Sequence, residues 1–173
     1  MQEQYPYKTG YLYVPIEFST EKVPRTVDFG GDTLKIKERF HVSLVCLRNM
    51  ISTHGEGIGQ KVLDFFYTFA EHEPLEFEGF SGEYRLAEQT RGNEYRKTIV
   101  GMCVVSNIDK FYRELNQEFG TNFDTQPTHV TLYTLGKNNG IGINNLHDLK
   151  HLTRNVTDEL TAQHPELLDV IVS

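Results

Sequence analysis

The sequence predicts an α+β fold in a single domain over residues 1–173, and three observations support this prediction. Several short stretches alternate between apolar and polar residues, as half-buried β-strands do. Other stretches repeat apolar residues at the three- and four-residue spacing of amphipathic helices. The composition, with 38% hydrophobic and 24% charged residues and no linker or low-complexity segment, is that of one globular domain.

Strands and helices alternate along the chain, so that each half contains strands and at least one amphipathic helix. In the first part of the chain we expect strands over residues 11–18 and 35–47, and a loop at 54–59 that leads into a helix. In the middle we expect strands over 75–80, 83–87 and 97–105, and a helix over 108–119 that stops at Gly120. The remainder is expected to contain a strand after Pro127, a glycine-rich turn at 136–142, a third helix, and a closing strand over 167–172.

One four-residue phrase occurs twice, 88 positions apart, and each copy lies in a predicted strand. Residues 41–44 read His-Val-Ser-Leu, and residues 129–132 read His-Val-Thr-Leu. Because side chains two apart on a strand share a face, each phrase presents an imidazole and a hydroxyl together. The valine and leucine of each phrase then face the core, which directs His41, Ser43, His129 and Thr131 toward a common cleft or solvent.

A third His-x-Thr spacing, at His151 and Thr153, serves as a control because it falls in the third predicted helix. Residues two apart on a helix do not face a common point, so this phrase is not expected to act. The expected inward stripe of that helix is Leu146, Leu149, Thr153, Val156 and Leu160, which leaves His147, His151, Arg154 and Asp158 on the polar flank.

Paired histidines suit the hydrolysis of a phosphodiester near neutral pH. The reaction needs a proton acceptor at the attacking water and a proton donor at the leaving oxygen, and imidazole performs both tasks. The Ser43 and Thr131 hydroxyls then bind non-bridging oxygens and stabilise the developing charge. The sequence leaves open which histidine is the base and which is the acid.

The two phrases resemble those of the two-histidine (2H) phosphoesterase superfamily, to which the LigT-like cyclic phosphodiesterases belong. The order of elements resembles that family over nearly the whole chain, whereas the specific match is confined to the eight phrase residues. The resemblance implies a bilobal fold of two mainly antiparallel sheets with pseudo-twofold symmetry around a central groove, and a reaction that needs no metal or other cofactor. It also implies His41, Ser43, His129 and Thr131 as the catalytic set.

Charge and the neighbours of the phrases bear on the substrate. LigT-type enzymes often carry an arginine shortly after the second phrase, whereas Tyr133 and Thr134 follow it here. The net charge of −7 also argues against binding to a long nucleic acid duplex. We therefore expect a small partner: a nucleotide with a 2′,3′-cyclic phosphate, a 2′-5′ or cyclic oligonucleotide, or an RNA end.

Four residues are candidates for substrate binding. Three tyrosines, Tyr11, Tyr13 and Tyr133, either stack on a base or serve as core and groove-wall aromatics. Arg96 belongs to a basic cluster in the middle of the chain, which either holds a nucleotide or lies on a solvated hairpin. The cluster consists of Arg85, Arg91, Arg96 and Lys97.

Two alternatives from other functional classes stay open. The first is a metal-dependent hydrolase or metal-binding protein that uses His147 and His151, which are four residues apart on the predicted helix. No obvious third ligand accompanies them in the sequence. The second is a non-catalytic nucleotide- or RNA-binding module, which the intact histidines of both phrases disfavour.

Cysteine usage and targeting signals indicate the compartment. Cys46 and Cys103 lie in apolar strand-like runs and are expected to be buried free thiols. The sequence shows neither an apolar run long enough to cross a membrane nor a basic and then apolar N-terminal region. A cytoplasmic location is the expectation.

Overall fold

The computed structural model describes residues 2–136 and 140–172, and over these residues the fold is α+β with nine strands and six helices. The strands are β1 (Tyr7–Lys8), β2 (Tyr11–Ile16), β3 (Thr26–Phe29), β4 (Asp32–Ile36), β5 (Phe40–Cys46), β6 (Phe77–Arg91), β7 (Glu94–Val105), β8 (His129–Thr134) and β9 (Thr153–Asn155). The helices are α1 (Leu47–His54), α2 (Gly57–His72), α3 (Ile108–Phe119), α4 (Leu146–Leu152), α5 (Thr157–Gln163) and α6 (Glu166–Ile171). Within the described residues, no helix is both long and apolar enough to span a membrane.

All strand pairs in the sheet are antiparallel, and the main path runs β1-β2-β5-β8-β7-β6-β9. The two strands that carry the phrases, β5 and β8, are neighbours near the middle of this path. They are joined by a single register pair, Val42 with Val130, whereas β8 pairs with β7 at five positions. The strands thus form one hydrogen-bonded sheet where two sheets were expected, and β5 and β8 make its narrowest connection.

The strand predicted over residues 35–47 is interrupted in the structure. Ile36 of β4 pairs with Tyr133, and Val42 of β5 pairs with Val130. Ile36 and Val42 are six residues apart, whereas their partners on β8 are three apart, so the chain over residues 37–39 departs from the strand path. The Lys37 backbone N–H still donates to the Leu132 carbonyl of β8 at 2.8 Å. Residues 37–39 read Lys-Glu-Arg, and three consecutive charges have no apolar side chain to bury against the core.

The strands predicted over 75–80 and 83–87 form one long strand, β6, which is paired with β7 along a twisted hairpin. Register shifts between Phe80 and Tyr84 absorb the polar interruption that suggested two strands. Within the basic cluster, Lys97 is structural: it is buried, and its Nζ donates to the Phe29 carbonyl at 2.7 Å and to Asp32 Oδ2 at 2.9 Å.

Helices α2 and α3 follow their predicted patterns and supply much of the aromatic core. Phe111 of α3 is fully buried, and its ring lies 5.3 Å from Phe66 and 5.5 Å from Phe69 of α2. Gly120 ends α3 with a φ of 62°, the left-handed conformation that glycine adopts at low cost. Helix α1 directly follows β5 and was not predicted: the expected strand ended at residue 47, the expected loop began at residue 54, and residues 48–53 between them were assigned to no element.

The third predicted helix and the closing strand are corrected by the structure. Residues 153–155 leave the helical path and pair as β9 with residues 85–87 of β6, which breaks the predicted stripe. The first residue of that stripe, Leu146, is exposed. The closing strand is instead helix α6, in which Leu167 and Ile171 are both buried. A short segment of five apolar residues and one aspartate fits either element by its pattern. The two buried positions are four apart, as one helical face requires.

Both cysteines are free and buried, as predicted. The thiol of Cys103 has its pKa raised to about 12, chiefly by burial, which keeps it protonated at neutral pH. Of the glycine-rich turn predicted at 136–142, residues 137–139 lie outside the described part of the chain.

Candidate active site

A cleft of about 690 Å³ opens between β2, β5 and β8, and all four phrase side chains line it. His41 and Ser43 come from β5, and His129 and Thr131 come from β8. The intervening Val42 and Val130 are fully buried on the other side of the strands. The alternation inferred from the sequence therefore holds in both strands, and it brings the two phrases into one cavity.

The spacing of 88 residues has a direct structural meaning. An antiparallel strand pair has a local twofold axis, and here it passes between Val42 and Val130. This axis relates each residue of β5 to the residue 88 positions later in β8. It therefore exchanges His41 with His129 and Ser43 with Thr131, so that the cleft presents two equivalent half-sites.

The leucine of each phrase marks a second symmetric feature, a β-bulge. Between β2 and β5, consecutive residues Leu12 and Tyr13 face Val45 and Ser43, so Leu44 is the extra residue. Between β7 and β8, Ile99 and Val100 face Tyr133 and Thr131, so Leu132 is extra. Bulges bend a strand and redirect its side chains, and here each bulge follows directly after the hydroxyl residue.

The second bulge places one predicted substrate-binding residue, Tyr133, outside the cleft. Without it, Tyr133 would share a face with Thr131 and point into the cleft. With it, the Tyr133 ring is fully buried in the core, and its hydroxyl donates to the Pro24 carbonyl at 2.9 Å. Tyr133 is a core residue and does not line the cleft.

Three other predicted substrate-binding residues, Tyr11, Tyr13 and Arg96, do line the cleft. The Tyr13 ring contacts the His41 imidazole, with ring centroids 5.0 Å apart. The Tyr11 hydroxyl accepts a hydrogen bond from the Asn144 side chain, and burial, followed by the nearby Cys46, raises the pKa of Tyr11 to about 12. Tyr11 is thus a neutral phenol, and its hydroxyl also hydrogen-bonds with the Cys46 side chain.

The cleft is cationic although the whole chain carries a charge of −7. The described residues that line it include one acidic side chain, Glu38, and four basic ones: Lys8, Lys37, Arg39 and Arg96. The Arg96 guanidinium donates to Glu94 Oε2 at 2.7 Å, while its buried Nε has no partner within the described chain. A positive cleft in an acidic protein concentrates a small anion at one place.

His129 lines the cleft, is buried, and is oriented by a backbone hydrogen bond. Its side chain is 7% exposed, and its Nδ1 lies 2.8 Å from the Pro127 carbonyl oxygen. A carbonyl only accepts hydrogen bonds, so Nδ1 carries a proton and Nε2 is the acceptor in the neutral ring. Burial lowers the pKa of His129, and the hydrogen bond to Pro127 opposes that shift.

His41 is more open to solvent than His129. The surrounding protein atoms still lower its pKa by desolvation, followed by the positive charges of Lys37 and of protonated His129. The two histidines therefore interact electrostatically, and protonation of one disfavours protonation of the other.

Several cleft residues were not identified from the sequence. Lys37 and Arg39 were assigned to a continuous strand, although three consecutive charges were a signal that the strand breaks there. Gln126 and Asn144 lie in segments outside helices and strands and carry no pattern that marks them. Only the folded chain brings these residues together with the phrases.

The two histidines of the metal alternative lie elsewhere, on α4. The rings of His147 and His151 are 4.2 Å apart, and neither lines the cleft. Over residues 2–136 and 140–172, no group of three or more His, Cys, Asp or Glu side chains is arranged to hold a metal ion. The third His-x-Thr phrase is divided between α4 and β9, outside the cleft.

A smaller cavity of about 290 Å³ adjoins the cleft at Asn144. It is lined by amide-bearing residues such as Asn49 and Asn122, and it contains neither phrase histidine. The one histidine among its described lining residues is His147 of α4, so the paired phrase histidines meet in the larger cleft.

Comparison of the chain with protein-family models, with curated proteins and with solved structures gives no match in any of the three. The 2H resemblance stays a prediction that rests on the eight phrase residues.

Proposed function

We propose that this protein is a phosphodiesterase of the two-histidine type, with a bilobal arrangement of strands around the cleft, acting on a small nucleotide. The supporting observation is that two symmetry-related His-x-Ser/Thr pairs line one cationic cleft. The substrate bond belongs to a 2′,3′-cyclic phosphate, a 2′-5′ linkage or a cyclic oligonucleotide. A cytoplasmic location is part of the same proposal.

In the proposed reaction, His129 is the base and His41 is the acid. The fixed hydrogen bond from Nδ1 to Pro127 leaves Nε2 of His129 free to accept a proton from the attacking water. The water oxygen bonds to phosphorus, the phosphorus–oxygen bond to the leaving group breaks, and protonated His41 donates to that leaving oxygen. His41 has the solvent access needed to regain its proton.

The hydroxyls and cations stabilise the phosphate during this step. Ser43 and Thr131 donate to the two non-bridging oxygens, one from each half-site. Arg96 and Lys37 lie on the same lining and offset the phosphate charge. Symmetric half-sites suit this substrate because a phosphodiester has its attacking and leaving oxygens on opposite sides of phosphorus.

Turnover of a substrate panel in EDTA tests the proposed function. The panel contains a 2′,3′-cyclic nucleotide, a 2′-5′ oligoadenylate, and cyclic di- and trinucleotides. Inorganic phosphate and the free nucleobases, which contain no phosphodiester bond, are the negative controls. We expect at least one member to be hydrolysed at the same rate with and without the chelator. A panel that binds without turnover would support the non-catalytic nucleotide-binding module instead.

The pH dependence follows from the lowered pKa of both histidines. We expect kcat/KM to describe a bell whose maximum lies on the acidic side of pH 6.5, the ordinary pKa of histidine. Below the lower pKa the base is protonated, and above the higher pKa the acid has lost its proton. Because both pKa values are lowered, both limbs of the profile lie at lower pH than two ordinary histidines would give. A kcat/KM that rises between pH 6.5 and pH 8 would contradict this assignment.

Lys37→Gln provides the matched variant for this profile. Removing the positive charge of Lys37 raises the pKa of His41, because that charge is one of the causes that lower it. The alkaline limb of kcat/KM should therefore move to higher pH, whatever the change in affinity for the phosphate.

A further inference from the structure

Gln126 has an unusual environment for an amide side chain. It lines the cleft and is 2% exposed, yet neither its Oε1 nor its Nε2 has a hydrogen-bond partner within the described residues. Buried amides are normally paired, because burial without a partner forfeits their hydrogen bonds to water. An unpaired donor and acceptor at the wall of a cleft are therefore groups that a ligand can satisfy.

The backbone around Gln126 is held in place on both sides. The Tyr112 hydroxyl hydrogen-bonds to the backbone of Gln126 and donates to the Leu44 carbonyl of the first bulge at 3.0 Å. Pro127 follows, and its carbonyl accepts the hydrogen bond from His129. The backbone that carries the amide is thus held relative to both half-sites before any ligand binds, which reduces the entropy lost on binding.

Gln126 differs from the phosphate-binding side chains of the cleft because its side chain is uncharged. The basic side chains of the cleft provide cationic donors for the phosphate, whereas a carboxamide is neutral and presents one donor group beside one acceptor. The edge of a nucleobase presents the same adjacent donor and acceptor, and glutamine or asparagine pairs with such an edge through two hydrogen bonds. A second neutral amide, Asn144, also lines the cleft and has a buried, unpaired Oδ1.

We propose that Gln126 recognises the nucleobase of the substrate by pairing its side-chain amide with the base edge. Asn144 and the ring of Tyr11 complete the wall on which the base rests. This proposal rests on the proposed function in so far as the ligand is a nucleotide. It makes Gln126 a residue for base recognition rather than for the reaction at phosphorus.

Calorimetric binding tests this proposal without requiring turnover. The probes are the 2′-monophosphates of adenosine, guanosine, cytidine and uridine, together with ribose phosphate as the base-free control. In Gln126→Met, which keeps the side-chain length and removes both hydrogen-bonding groups, we expect the preferred nucleotide to bind about five- to 150-fold more weakly. Ribose phosphate should bind with unchanged affinity.

Thr98→Val is the matched control variant. Thr98 is also fully buried with an unpaired side-chain oxygen, but it does not line the cleft, so its replacement should leave all Kd values unchanged. Gln126→Glu gives a second readout in a side chain of equal size, because loss of the amide donor should reorder the preference among the four bases.

Equal weakening of nucleotide and ribose phosphate in Gln126→Met, or no weakening of either, would overturn base recognition by Gln126. Failure of the wild-type protein to bind any phosphate probe would instead count against the proposed function itself. The two failures are thus distinguished by whether ribose phosphate binds.

Discussion

Replacing either cleft histidine with alanine is expected to lower kcat/KM by about a hundred- to ten-thousandfold, the range typical of a positioned general acid or base. His41 and His129 each supply one of the two proton transfers, and no other imidazole among the described residues lines the cleft to take over. The measurement is hydrolysis of the best substrate from the panel by each single variant at the pH optimum.

His151→Ala is the control for these variants. His151 has the same His-x-Thr spacing to Thr153, but it lies on α4 outside the cleft, so its loss should leave the rate unchanged. Full activity in both His41→Ala and His129→Ala would refute the two-histidine mechanism. A large loss in His151→Ala would instead revive the alternative based on the histidine pair of α4.

Removing either hydroxyl, in Ser43→Ala or Thr131→Val, is expected to lower kcat by about ten- to a thousandfold, as loss of one transition-state donor does. Both residues lie two positions after their histidine on the same face of the strand, so each hydroxyl lines the cleft beside its imidazole. Because the added charge on the phosphate oxygens develops in the transition state, KM should change less than kcat.

Thr98→Val is also the control for Thr131→Val, because it makes the same chemical change at a buried site on β7 outside the cleft. Steady-state kinetics of the three variants separates the effects. If Ser43→Ala and Thr131→Val both raise KM while leaving kcat unchanged, the hydroxyls bind the ground state only, and their proposed role in the transition state fails.

Local patterns predicted most of the elements near the site. The repeated phrases identified β5 and β8, and the alternation within them placed the imidazoles and hydroxyls on one face. Helices α2 and α3 followed from their apolar periodicity and from Gly120. Each of these signals is contained within one element, so the sequence of that element suffices to reveal it.

Features that depend on partner strands were not predictable from local patterns. Residues 153–155 have helical periodicity, but they pair with the edge of β6, and this tertiary pairing overrides the local preference. The bulge at Leu132 depends on the register with β7 and reverses the facing of Tyr133. The excursion of residues 37–39 likewise depends on two different pairings along β8.

The symmetry of the cleft explains why the paired phrases carry more information than either one. A single His-x-Ser phrase on a strand fits a histidine satisfied by a neighbouring hydroxyl. The pairing of Val42 with Val130 relates the two copies by a local twofold axis, and both copies line one cleft. The two halves should therefore act as a unit on one phosphate, and their contributions to the rate should not be independent.

The double variant His41→Ala/His129→Ala, compared with the two single variants on the same substrate, tests most directly whether the phrases form one active site. If each histidine supports the same bond cleavage, the double variant should lose no more activity than the worse single variant. Losses that multiply, so that the double variant falls by the product of the single effects, would show that the histidines act independently and would contradict a shared site.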